Sequence, residues 1–516
     1  MDVGPIVFWS GGGGSAPPAT PSDKFAPKYL VGNALAGDGN STSVAGFTYI
    51  LDPGDGSGIQ TALGQPDGPG DVYVRPGSYI SPSSVVLTVP AGVRVFGAGA
   101  SLTVLTGISL SLGINSEVAG FTVTVDTGTA VSVVAPGSGV GLTDLLIEIN
   151  GTATTGVSLT GPGSVSLPFS APSALSRVRV EITSPGAVGV FANTGALVTF
   201  NDVTINGGAE SLRVESDAAV FGTHAFFSGA TTAGVRYTNG TGGAPVRLEQ
   251  SAIITFGISS VAVLLQDRVD SIRFHNCFLI GDSVGIDVTT ADVTGMTCTG
   301  CSIQGQNGVA GLGSVNASQV IFEACNIQGY NGYGLDIAVN ATDVSFVGCI
   351  VEGGSSHALH SRARVSAANT TFRAFNGPSC LFDGIGASTF SGCTFISAAI
   401  ATSVLDLSSE QNVLAACQVS GSATLASVVV NANGNCLSSM NIDGVGTSAP
   451  AIRVFSSENT LSTVRTQTDT GQFSVVLEAL SSNNILLGLN ARGPGSAVLA
   501  VSDLGTGNEV AHVIGT

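Results

Sequence analysis

The stretches FHNCFLIG (274–281), CTGCSIQG (298–305), FEACNIQG (322–329) and FVGCIVEG (346–353) place Cys277, Cys301, Cys325 and Cys349 24 residues apart each time. Outward from them the register continues through Thr371 and Cys393, each 22 residues on, and Cys417, 24 further. It then runs without cysteine through Met440, Val464 and Gly488. Backwards it passes Ser251, Ala225, Val203 and Val178 to Leu145 and Phe121, with a longer insertion from Gly161 to Ser173. A period of this length, with alternating apolar positions and no helical segment, predicts a β-solenoid, in which a coil buries its inner face only by stacking on its neighbours. About 17 coils are implied, and at roughly 4.8 Å per coil the rod is about 80 Å long.

Each coil alternates apolar and polar residues over short runs, as in Val320-Ile321-Phe322 and Cys325-Asn326-Ile327 before Gly329. Phe322, Cys325 and Ile327 face inward and stack on Phe346, Cys349 and Val351 of the next coil, and on Phe274, Cys277 and Leu279 two coils earlier. The cysteines therefore read as a buried ladder of small apolar thiols. Stacked parallel side chains have the wrong Cβ geometry for a relaxed disulfide. Cys298 and Cys301 form a CxxC, but no second CxxC or nearby histidine pair completes a zinc site, so no metal and no cofactor is expected.

Composition agrees with an all-β chain: of 516 residues 71 are glycine, 43% are hydrophobic and only 10% are charged. No apolar run is long enough to span a bilayer, so membrane insertion is not expected. Seventeen basic residues against 35 acidic give a net charge of −18. Nucleic-acid binding rests on clustered Lys and Arg and is not expected either.

The N-terminus has no basic leader, and its apolar stretch Pro5–Trp9 is too short for a secretory signal. That stretch holds the only tryptophan and is followed by Gly11–Gly14, Pro17 and Pro18. A glycine run uncouples such a segment from the rod. Ile6, Val7, Phe8 and Trp9 are therefore expected to anchor the chain in a partner protein. Lys24 and Lys28, the only lysines, stand at the junction to meet an acidic surface. The division expected is an anchor and hinge over 1–45, an entry and cap over 46–100 and the rod over 101–516.

The entry reads GDGSGIQTAL (54–63), GDVYVRPGSY (70–79) and VRVFGAG (93–99). A helix over Ile59–Leu63 would cover the open end of the first coil, which otherwise exposes apolar edges and unpaired backbone. This succession resembles the opening of pectin-lyase-like right-handed parallel β-helix proteins, from about Gly54 onward. Joined to a short leader and a Gly/Pro hinge, it looks most like a bacteriophage tail spike or other virion appendage. The resemblance implies a structural protein on the exterior of the particle, attached to other virion proteins by its N-terminus. It further implies a homotrimer whose outer surface meets host glycan. A tail-spike depolymerase and a bacterial surface adhesin are the alternatives.

The residues lean against an enzyme; if there is one, the family implies a polysaccharide hydrolase or lyase. The Asn-Thr-Asp, Gly-His-Gly and Arg-Ile-Lys motifs of the family's hydrolases and the Trp-Ile-Asp-His stretch of its lyases are absent. Glycoside hydrolysis still needs only two carboxylates flanking the bond, and Asp282, Asp287 and Asp292 are the nearest acidic group, with Asp336 and Asp343 further on. The densest polar cluster is Glu352, His357, His360, Arg362 and Arg364. Asp282, Asp287, Glu352, His357 and His360 are thus the candidate catalytic residues, although each also suits a solvated turn.

Overall fold

A computed structural model describes residues 41–44, 47–50, 57–63, 71–133, 139–161, 172–239, 245–444, 449–469, 472–492 and 499–515. The expected anchor residues Ile6, Val7, Phe8, Trp9, Lys24 and Lys28, and most of the insertion after Gly161, lie outside them. The chain is a right-handed parallel β-helix of about 17 coils with roughly 24 residues per coil. Apart from the antiparallel pair Ser41–Val44 and Phe47–Ile50, the strand pairings are parallel and join each coil to the next. Through the central coils each turn contributes three strands. Val320–Glu323 belongs to a first sheet, Asn326–Gly329 to a second and Leu335–Ile337 to a third.

The capping helix is present as Ser57–Leu63 and buries Ile59, Ala62 and Leu63. It packs on the strands Asp71–Val74 and Gly77–Val89. The Gln60 Oε1 accepts a hydrogen bond from the Thr88 backbone N–H at 2.8 Å, so the helix supplies a partner to a backbone group at this end. From here a single apolar core runs from Ile59 to Ala491 without a break.

The inward columns match the repeat. Phe322 pairs in register with Phe346, and their rings stack at 5.4 Å; Ile327 pairs with Val351. Cys298 fills a rung of this aromatic column, between Phe274 and Phe322. Cys277, Cys301, Cys325 and Cys349 form the corner between the first and second sheets, each nearly fully buried. Their thiols donate to carbonyls of the preceding coil, Leu248, Phe274, Cys298 and Phe322, at 3.2 to 3.3 Å. The thiol thus serves as both packing atom and corner hydrogen bond.

The residue before each rung turns the chain through a left-handed conformation, as at Asn276 (φ 51°), Gly300 (64°), Ala324 (51°) and Gly348 (62°). Ala324 accepts this at a cost of roughly 1–2 kcal/mol, which stacking on both sides offsets. The same feature corrects the expected register at two coils. Asn369 (φ 50°) is the turning residue, so Thr370 rather than Thr371 is the rung; its Oγ1 accepts from the Cys349 N–H at 3.3 Å. Likewise Gly488 (φ 71°) turns and Leu489 is the buried rung. Coil lengths vary, and counting residues cannot locate a corner whose marker is a backbone angle.

Candidate functional site

The best-furnished site lies on the outer face of the third sheet. Asp336 and His360 pair in register on adjacent strands of that sheet, side chains outward. One coil on, Asp383 follows the strand Cys380–Phe382, and Leu381 pairs with Asp406 of the coil after. Four successive coils thus deliver acid, histidine, acid and acid to one strip of surface.

His360 is held from both sides. Its Nδ1 lies 3.1 Å from Asp336 Oδ1, and its Nε2 lies 3.1 and 3.2 Å from the two oxygens of Asp383. Arg362 adds a contact to Asp336 at 3.3 Å. The hydrogen bond that His360 donates to Asp336, helped by Asp383, raises the His360 pKa above its ordinary 6.5 against the opposing effect of burial. Burial works against ionisation of Asp336, yet His360 and Arg362 together hold its carboxyl below the usual 3.8. With both ring nitrogens within hydrogen-bond distance of carboxylates, His360 has none left for a substrate and serves to position its two acids.

His357 is different. Burial first, and the neighbouring His360 second, push its pKa down to about 4, so it is neutral at physiological pH. Its ring stacks on Tyr333 at 5.8 Å, and Tyr333 also covers His360 at 5.5 Å. Nδ1 of His357 lies 3.1 Å from the Ser356 hydroxyl.

Asp406 is the group with free chemistry. Burial raises its pKa, the nearby Asp383 raises it further, and hydrogen bonds from Ser408 Oγ (2.7 Å) and Asn431 Nδ2 (3.2 Å) pull the other way. It borders a polar depression across three coils, lined by Gly384–Ala387, Ser408–Gln411 and Asn431–Asn433. Gly386 permits this shape, because a Cβ there would meet the Glu410 carbonyl at 1.5 Å.

Of the candidate residues, the structure brings His357 and His360 together and leaves the others apart. Glu352 sits on the second sheet, facing Arg373 at 3.6 Å. Asp287 lies on the third sheet two coils before Asp336, its Oδ1 taken by the Thr289 N–H and hydroxyl at 2.9 and 2.6 Å. Asp282 is an exposed turn residue outside this strip. Asp383 and Asp406 were missed. Their signal is periodic: Asp383 stands one coil, 23 residues, beyond His360. No group of three or more metal-ligating side chains capable of holding an ion occurs among the described residues, and no described helix is long and apolar enough to cross a membrane.

No family model and no curated protein sequence matches the chain. Its fold is similar to solved β-helix structures. A single-substitution variant of the catalytic domain of a GH87 alpha-1,3-glucanase in complex with nigerose gives a TM-score of 0.37 at 12% identity, covering 68% of this chain and 64% of that one. The PL6 family alginate lyase AlyGC gives 0.33 at 9%, covering 90% and 100%. The N-terminal fragment of bacteriophage Phi29 gene product 12 gives 0.34 at 11%, covering 87% and 90%. The chain thus spans less than two thirds of the glucanase domain. The strand register establishes the fold on its own, and at such identities no activity passes from these proteins to this chain.

Proposed function

We propose that this chain is a structural appendage of a bacteriophage particle, a stiff rod anchored through its first 45 residues and meeting the host surface along its flank. The observation that carries the reading is the single core from Ile59 to Ala491, interrupted by no second hydrophobic unit among the described residues. Such a rod transmits position and load, since each coil is fixed by register to both neighbours. The apolar leader Pro5–Trp9 beyond a glycine hinge supports attachment at that end, and three rods side by side are the expected assembly. Deleting residues 1–20 is expected to leave the melting transition of the rod unchanged and to abolish its incorporation into particles. Normal occupancy of truncated protein would end the anchor reading.

A second reading, cleavage of host polysaccharide, is favoured by one feature. Asp383 and Asp406 stand on adjacent coils of one strip, and burial biases Asp406 toward its protonated form, as the acid of a glycoside-hydrolysing carboxylate pair must be. Release of reducing ends from host polysaccharide, lost in both D383N and D406N, would establish it. Absence of release from the intact chain leaves the structural reading standing alone.

A further inference from the structure

Asparagine is followed directly by glycine at seven places in the chain: Asn150, Asn206, Asn239, Asn307, Asn331, Asn376 and Asn433. A glycine has no Cβ to shield its backbone nitrogen, so that nitrogen can reach the carboxamide of the asparagine before it. Six of the pairs lie within the described residues; Gly240, which follows Asn239, does not. The fold treats the six differently.

Four are tied down. Asn150 Oδ1 accepts from the Thr183 hydroxyl at 2.8 Å. Asn206 donates from Nδ2 to Glu181 at 2.8 Å, and its Oδ1 accepts from the Ser228 hydroxyl at 2.5 Å. Asn307 Oδ1 accepts from the Tyr333 N–H at 3.1 Å, and the Gly308 N–H donates to the Tyr333 carbonyl at 3.1 Å. Asn433 Oδ1 accepts from the Ser457 N–H at 2.8 Å, and the Gly434 N–H donates to the Ser457 carbonyl at 3.2 Å. At these last two pairs the carboxamide and the glycine nitrogen are both committed to the next coil.

Asn331 and Asn376 are the exceptions. They occupy the same turn, between the second and third sheets, two coils apart. Their own N–H groups donate to the carbonyls of Gln306 at 3.2 Å and Gly354 at 3.1 Å. Both residues are exposed, and neither carboxamide has a hydrogen-bond partner among the described residues. The N–H groups of Gly332 and Gly377 likewise donate to no acceptor among them.

We propose that Asn331 and Asn376 are sites of spontaneous succinimide formation in the folded chain. Hydroxide from solvent removes the glycine N–H proton, and the nitrogen attacks Cγ of the asparagine. A C–N bond forms within a five-membered imide, and the bond from Cγ to Nδ2 breaks. Ammonia leaves with a proton from water, which restores the hydroxide. Water then opens the ring at Cγ to give aspartate, or at the main-chain carbonyl to give isoaspartate, whose backbone is longer by one methylene. Nucleophile and carbonyl belong to neighbouring residues, so little is lost in bringing them together. At Asn307 and Asn433 two hydrogen bonds must break first, which slows the reaction by about tenfold or more. The Asn331 site lies in the turn that carries Tyr333, whose ring covers His357 and His360. The inference does not depend on the particle reading.

The test holds the full-length folded chain at mildly alkaline pH and follows it by peptide mass mapping, beside the same chain unfolded in urea. In urea all the pairs are expected to convert at similar rates, because the Asn-Gly sequence alone is then in control. In the folded chain Asn331 and Asn376 are expected to gain one mass unit about tenfold or more faster than Asn307 and Asn433. The double change Asn331→Gln and Asn376→Gln, which lengthens each side chain by a methylene, should remove that early gain from the mass of the whole chain. If Asn331 and Asn376 convert no faster than Asn307 and Asn433 in the folded chain, the proposal is overturned. An early gain that survives the double change overturns it as well.

Discussion

One corner column of the rod is built from two chemistries. From Ile272 through Met296, Val320, Val344 and Val365 its rungs are apolar; after Ser388 they are Asn412, Asn435, Asn459, Asn484 and Asn508. In the apolar half the corner hydrogen bonds run backbone to backbone, as from the Val320 N–H to the Asp343 carbonyl at 3.1 Å. In the amide half each backbone N–H donates to the side-chain oxygen of the next rung. Asn435 N–H reaches Asn459 Oδ1 at 2.8 Å, while Asn435 Oδ1 accepts from Asn412 and Asn435 Nδ2 donates to Ala432 at 2.7 Å. The four Asn rungs from 412 to 484 are essentially without solvent exposure. A parallel stack thus tolerates either hydrocarbon or a fully satisfied amide in one corner, provided that the whole run is consistent, because a half-satisfied polar network is worse than none.

The sharpest way to break this comparison is a charge. Val344→Asp or Cys325→Asp should cost about 4 kcal/mol or more, since the carboxylate enters a core with no partner. Asn459→Asp should cost less, because neighbouring amides can still donate to it. Urea denaturation of the three variants checks the order, and equal losses would erase the distinction. Next in size, Asn459→Leu should cost about 2–3 kcal/mol by leaving the buried Asn435 N–H without its acceptor. Val344→Asn, a lone amide in the apolar half, should be similarly costly despite introducing the residue its counterpart coils prefer.

Cys325→Ala should cost about 1–2 kcal/mol, a small cavity and one weak hydrogen bond. Thiol reagents should label Cys277, Cys301, Cys325 and Cys349 only on unfolding. The neighbouring thiols and burial push Cys301 and Cys325 up to about 12 from an ordinary 9.0. Their folded pKa exceeds the unfolded one, so their contribution is intact below about 9 and lost as pH rises toward about 12. The rod should therefore soften across that alkaline window, and less so in Cys325→Ala. The smallest effect is local: by NMR, His357 should titrate near 4 and His360 above 6.5. The His360 contribution to stability is full below 6.5 and disappears as pH rises through its folded pKa, whereas that of Asp336 disappears as pH falls below 3.8.

The sequence by itself determined the solenoid, its inward columns and its capping helix. Those depend on residue type at a fixed period, and Cys277, Cys301, Cys325, Cys349 and the phenylalanine rungs carry the period openly. The asparagine ladder was equally legible, at spacings of 23 to 25 residues from Asn412 to Asn508, but solvated turns also favour Asn, which hid its buried role. Only the tertiary structure decided that Thr370 and Leu489 are rungs, since the left-handed residue just before each, Asn369 and Gly488, sets the corner and coil lengths differ. It alone brought Asp336, Asp383 and Asp406 to one strip beside His360. Outward side chains carry no hydrophobic signal of register, so which of them meet is settled by the stacking of coils.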